Sequence, residues 1–175
     1  MARASFDESV KVLRERGWLG EDESPRVPSR MPQYDDEDVA GVSFFRTEVS
    51  DAQLDNLSLP RTFFGRSEIA DSSFSNTDIS ESNLCWNDFI NVDFSGADLS
   101  GSDLRASSYE NVNFTNANLS GADLRQCDFT DCRFDGANLT GAKLTEAGGK
   151  PLELAEEQKA SVSWQDDEGE EPPGG

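Results

Sequence analysis

One spacing constrains this chain more than any other feature: from Phe44 to Leu144, every fifth residue is apolar without a slip. The frame runs Phe44, Val49, Leu54, Leu59, Phe64, Ile69, Phe74, Ile79, Leu84, Phe89, Phe94, Leu99, Leu104, Tyr109, Phe114, Leu119, Leu124, Phe129, Phe134, Leu139, Leu144. So long a short period marks a repeat architecture. Two residues before many of these positions the side chain is small or short, as at Ala52, Thr62, Ser82, Ala97, Ala117, Ala122, Cys127, Cys132, Ala137 and Ala142. A strand alternates faces with period two, so both positions point inward.

Blocks such as Ala97-Asp98-Leu99-Ser100-Gly101, Ala117-Asn118-Leu119-Ser120-Gly121, Ala122-Asp123-Leu124 and Ala137-Asn138-Leu139-Thr140-Gly141 resemble the A(D/N)LXX unit of the pentapeptide repeat family. The resemblance covers residues 42–146. It implies an all-β solenoid, a right-handed quadrilateral β-helix with four pentapeptides per coil, here about five coils. Sorting the inward residues by twenty tests that implication. One column then reads Leu54, Phe74, Phe94, Phe114, Phe134 and another Leu59, Ile79, Leu99, Leu119, Leu139. Like falls on like, as stacked coils need if their interior is to fill at crystal-like density.

The ends of such a stack need caps. Residues 1–20 read as an amphipathic helix: Ser5 and Glu8 have capping-box spacing, Phe6, Val10 and Leu13 share a face, and Gly17 is a terminator. Residues 21–41, with Pro25, Pro28 and Pro32 among charges, read as an extended linker. Residues 147–164 form a C-terminal cap or short helix through Leu152, Ala155, Lys159 and Val162, and residues 165–175 an acidic, disordered tail.

The net charge of −20 is uneven. The wall containing Phe44 and Leu144 carries Arg46, Arg66, Arg105, Arg125 and Lys143 against Asp103, Asp123 and Glu146, so it is net positive. The next wall carries Glu48, Asp51, Glu68, Asp71, Asp88, Glu110, Asp128 and Asp131 with no Lys or Arg. Coils rise about 4.8 Å each, so these carboxylates recur about every 3 Å along the axis, close to the roughly 3.4 Å charge spacing of one DNA strand. The resemblance gives that wall a meaning, because the family includes proteins that bind DNA gyrase and protect it from quinolones or peptide toxins. The competing reading is solubility, since Asp and Asn belong to the repeat and acidic walls keep flat stacks from associating.

Phe45, Phe63 and Trp86 point outward on the net-positive wall beside Arg66. They read either as anchors for a protein partner or as the dock for the N-terminal helix, and docking is the expectation. An enzyme is not expected, since a filled prism offers no concavity and every Ser and Asp has a repeat or tail position. No cofactor is expected either. With no His, and with Cys127 and Cys132 as core fillers, no metal site is expected. The chain lacks the basic stripe that binds nucleic acid directly. No apolar run approaches a membrane span or signal segment, so a cytoplasmic protein without membrane contact is expected.

Two functions follow as expectations. The first is a DNA mimic that binds DNA gyrase or topoisomerase IV through the acidic wall. The second is an immunity or adaptor protein that binds a cognate toxin or another protein through the Phe45, Phe63, Arg66, Trp86 patch or the N-terminal extension. Gyrase-protecting members often carry loops, and some form a homodimer through a C-terminal helix. This frame has no loop, and a homodimer stays open.

Overall fold

The computed structural model describes residues 2–28, 38–44 and 48–166. Within it, the five-residue period belongs to the backbone as well as the side chains. Every fifth residue from Asp51 to Gly141 has a positive φ, between 47° and 68°. Each is a corner of the prism, two residues after an inward apolar side chain. Asn, Asp and Gly adopt this left-handed region at least cost and hold most corners. Arg61, Arg66, Glu81, Trp86, Ala106 and Gln126 hold the others.

Between corners the chain runs straight for a few residues and pairs in parallel with the coil twenty residues away. One wall is a five-stranded parallel sheet of β4 (Glu48–Ser50), β6 (Glu68–Ala70), β7 (Asp88–Ile90), β8 (Ser108–Glu110) and β9 (Asp128–Thr130). On the preceding wall β3 (Ser43–Phe44) pairs with β5 (Phe63–Phe64), and single bridges carry the register on to Lys143. Coil-to-coil bonds such as Phe74 N–H to Asp93 C=O, 2.8 Å, repeat down every wall.

The inward columns are aromatic ladders. Phe74, Phe94, Phe114 and Phe134 stack at centroid distances of 5.3, 5.6 and 4.9 Å. Phe89, Tyr109 and Phe129 stack at 5.0 and 5.1 Å. Within a coil the two ladders meet edge to face, as Tyr109 does with Phe114 at 5.6 Å. Each such pair adds about 0.5–1.5 kcal/mol beyond burial.

The small inward residues do more than fill space. The Ser82 hydroxyl accepts the Thr62 N–H at 2.9 Å, and the Ser102 hydroxyl accepts the Ser82 N–H at 3.0 Å. The Ser102 and Ser107 hydroxyls donate to the carbonyls of Ile79 and Leu84, each at 3.0 Å. Buried polar groups thereby satisfy one another. Cys127 and Cys132 occupy the same type of position, their thiols donating to Leu104 and Tyr109 carbonyls at 3.0 and 3.3 Å.

Both ends depart from the expectations. The helix α1 (Phe6–Glu15) forms with its capping box intact, Ser5 N–H donating to Glu8 at 2.8 Å. It does not dock on the Phe63 and Trp86 wall, which corrects that expectation. It lies across the open end of the first coil, where backbone groups have no preceding coil to pair with. Asn56 C=O accepts the Ala4 N–H at 2.8 Å, Ser58 N–H donates to the Ser9 hydroxyl at 2.8 Å, and Arg16 donates to Gln53 C=O. Val10 and Leu13 are buried in the same core as Leu54 and Leu57. The expected linker contains β1 (Arg26–Pro28) and β2 (Asp38–Ala40), an antiparallel pair whose Val27 packs against Gly41. A Cβ on Gly41 would lie 2.5 Å from Val27 and 2.7 Å from the Arg61 carbonyl.

At the other end, Gly149 occupies the next frame position after Leu144 and cannot fill the interior, so the chain leaves the solenoid. Thr145 caps the short helix α2 (Glu146–Gly149), and a second short helix, α3 (Glu156–Ser161), lies within the segment expected to form a cap or short helix. Strand β11 (Ser163–Gln165) then returns beside β10 (Lys143–Thr145), placing Trp164 against Leu144, twenty residues on. That returning strand makes the solenoid about six turns rather than five, and it takes in Gln165, expected to be tail. The rest of the expected tail, from residue 167, and Pro32 of the linker lie outside the described residues.

Candidate protein-binding faces

The parallel register assembles the acidic wall. Glu48, Glu68, Asp88, Ser108 and Asp128 occupy one column of the five-stranded sheet, about 4.8 Å apart. Glu110 stands two residues over, between Ile90 and Thr130. Asp51, Asp71 and Asp131 hold left-handed corners along the wall's margin, with φ of 56°, 48° and 53°. Each of these carboxylates belongs to an exposed residue, so the wall brings every acidic residue of the candidate set onto one surface.

Two local networks interrupt it. Ser108 donates its hydroxyl to Asp88. Asn111 donates to Asn91 and Asn91 to Asp71, each at 2.9 Å, forming an amide ladder up the corner column. On this wall the coil of Ser108 carries a single carboxylate, Glu110, between the Asp88 and Asp128 coils. Glu48, Asp51, Glu68, Asp71 and Asp88 form the denser group, and Glu110, Asp128 and Asp131 the other.

The adjoining wall is less basic than its composition. Arg105 forms two 2.9 Å hydrogen bonds with Asp103 and lies 3.7 Å from Asp123. Arg125 grips Asp123 at 2.8 and 2.7 Å. The hydrogen bonds to Asp103 raise the Arg105 pKa, which holds its charge firmly within this internal ladder. Arg66 instead lies over Trp86, 5.6 Å from the ring centroid, a cation–π contact. Phe63 and Trp86 are half-buried, which makes the apolar patch smaller than an outward reading implies. Phe45 and Arg46 lie outside the described residues.

Other chemistry is sparse. Burial pushes the Cys127 thiol up to about 12 and the Tyr109 phenol well above its ordinary value. Among the described residues no cluster of His, Cys, Asp and Glu is arranged to hold a metal. No described helix is long and apolar enough to cross a membrane.

A model of pentapeptide repeats matches residues 48–84, 67–105 and 110–147, in eight copies that together span more than half the chain. The chain belongs to the pentapeptide repeat family. A pentapeptide repeat protein from Nostoc PCC 7120 superposes with a TM-score of 0.54 at 27% identity, covering 61% of this chain and 86% of that one. HetL, a pentapeptide repeat protein involved in heterocyst differentiation regulation in the cyanobacterium Nostoc sp. strain PCC 7120, gives 0.49 at 20% identity, covering 54% of this chain and 48% of HetL. The chain thus matches about half of HetL's length. The plasmid-mediated fluoroquinolone resistance protein QnrB1 gives 0.21 at 18% identity, over 70% of this chain and 79% of QnrB1. No curated protein matches the chain in sequence. Pentapeptide repeat solenoids are in general structural or protein-binding rather than catalytic.

Proposed function

We propose that this pentapeptide repeat protein is a non-catalytic, cytoplasmic DNA mimic, whose acidic wall enters a protein groove built to hold DNA. The most specific target is DNA gyrase or topoisomerase IV, which binding would shield from a toxin or antibiotic. One observation carries the reading: Glu48, Glu68, Asp88 and Asp128 stand in a single register column, flanked by Asp51, Asp71 and Asp131, on a wall whose described residues include no cation. A rigid sheet fixes the carboxylate positions before binding, so little ordering cost is incurred when the groove closes on them.

Immunity or adaptor binding through the neighbouring wall is the second reading, supported by the Arg66–Trp86 pair with Phe63 beside it. The N-terminal helix contributes less to that reading, since its apolar side closes the first coil. Affinity capture from a lysate of the source organism, using the wild-type chain and one carrying Glu48→Gln, Asp51→Asn, Glu68→Gln, Asp71→Asn and Asp88→Asn, separates the two. Gyrase or topoisomerase IV subunits recovered with wild type alone support mimicry. A single unrelated protein retained equally by both forms contradicts it and favours the second reading.

A further inference from the structure

The two ends of the solenoid are not equally closed. At the N-terminal end Phe44, Val49, Leu54 and Leu59 are all buried, and α1 bonds into the first coil's dangling groups. At the C-terminal end three sides are covered. Gln158 donates to the carbonyls of Phe134 and Ala137 at 2.7 and 3.0 Å, Gly141 N–H donates to Ser161 C=O at 2.9 Å, and β11 pairs with β10. The fourth side is the wall of the five-stranded sheet, where β9 is the last strand. Helix α2 and Asp166 line a hollow beside Cys127 and Asp128, and among the described residues no strand pairs with the outer edge of β9. Phe129 and Cys132 are accordingly only partly buried, whereas Val49, Ile69, Phe89 and Tyr109 above Phe129 are at most 1% exposed.

We propose that the outer edge of β9 is a strand-addition site for an extended basic segment of another protein. An edge strand presents unpaired N–H and C=O groups that template a further strand. Here an apolar side chain, Phe129, lies beneath that edge, so an added strand would bury one apolar residue against it. Asp128 and Asp131 flank the edge, both exposed. Arg133 lies around the corner on the next wall. The charge selects the occupant: a second copy pairing about a two-fold axis would set Asp128 and Asp131 against their own equivalents, on chains of net charge −20. A strand alternating Lys or Arg with an apolar residue places cations against these carboxylates and its apolar residue over Phe129.

Fluorescence polarisation of the full chain with a labelled peptide of alternating lysine and valine tests this. A backbone N-methylated version keeps the charges but cannot pair, and the chain carrying Asp128→Lys should transfer preference to a glutamate–valine peptide. The expected result is at least tenfold weaker binding of the N-methylated peptide, at least tenfold weaker binding to Asp128→Lys, and slowed amide exchange at Phe129 and Asp131. Glu48→Gln with Glu68→Gln, distant on the same wall, should change affinity less than twofold. Equal binding of both peptide forms, loss of binding in that distant variant, or unchanged exchange at Phe129 would overturn the site. So would a dimer of the free chain that protects the same amides.

Discussion

Ala106 and Gly96 hold equivalent left-handed corners, with φ of 53° and 65°, and respond oppositely to substitution. Ala106→Gly relieves the steric cost of that conformation, about 1–2 kcal/mol, against a Gly entropy cost of about 0.5–1 kcal/mol. Urea denaturation should show a stability gain of up to about 1 kcal/mol. Gly96→Ala places a Cβ at a left-handed corner and against the Asn76 side-chain oxygen, so after the entropy gain of about 0.5–1 kcal/mol it should still lose about 1–2 kcal/mol in the same measurement. Cys127 supplies a pH test. Its thiol titrates near 12 when folded and near 9 in its ordinary state, so the unfolded chain sheds the proton first. This contribution is fully present below about pH 9 and is lost as pH rises through 12, at about 1.4 kcal/mol per pH unit. Cys127→Ala, which restores the commonest residue at such positions, should flatten that slope in pH-resolved thermal melts, leaving the part due to Tyr109.

At the scale of elements, the aromatic ladders and the caps carry the stack. Phe114 lies between Phe94 and Phe134 and edge-on to Tyr109, so Phe114→Ala should cost about 3–5 kcal/mol in urea denaturation. Ser9→Ala leaves the Ser58 N–H without its acceptor, a loss of about 1–3 kcal/mol by the same measurement. The ladders were legible because the period of five and the period of twenty are both written in bulky residues. Helix α1 was legible from Ser5, Glu8 and its apolar face, but its dock was not. Phe63 and Trp86 advertise themselves in the sequence, whereas the carbonyls of Gln53 and Asn56, left by the first coil for α1 to pair with, carry no side-chain signature. The inward hydroxyl network was equally hidden, since a small residue reads as a filler until its partner twenty residues away is placed. Strand β11 escaped notice because α2 and α3 break the frame between Leu144 and Trp164, although the distance between them is still twenty residues.

Over the whole molecule, the fold turns a sequence period into flat walls of fixed charge. The acidic wall was visible in the sequence as a count per face. The hydrogen bonds that tie Asp88 to Ser108 and Asp71 to Asn91 were not, because they depend on how neighbouring coils align. Exposed carboxylates acting on a basic groove make an interaction that salt weakens steeply, while an apolar contact through Phe63 and Trp86 would survive. The decisive measurement is displacement of a labelled DNA duplex from purified DNA gyrase, followed across a salt titration for the wild-type chain and for the chain with Glu48, Asp51, Glu68, Asp71 and Asp88 neutralised. The wild type should displace DNA at low salt, lose that ability as salt rises, and exceed the neutralised chain by at least tenfold. No displacement, or equal displacement by both chains, would contradict DNA mimicry by this wall.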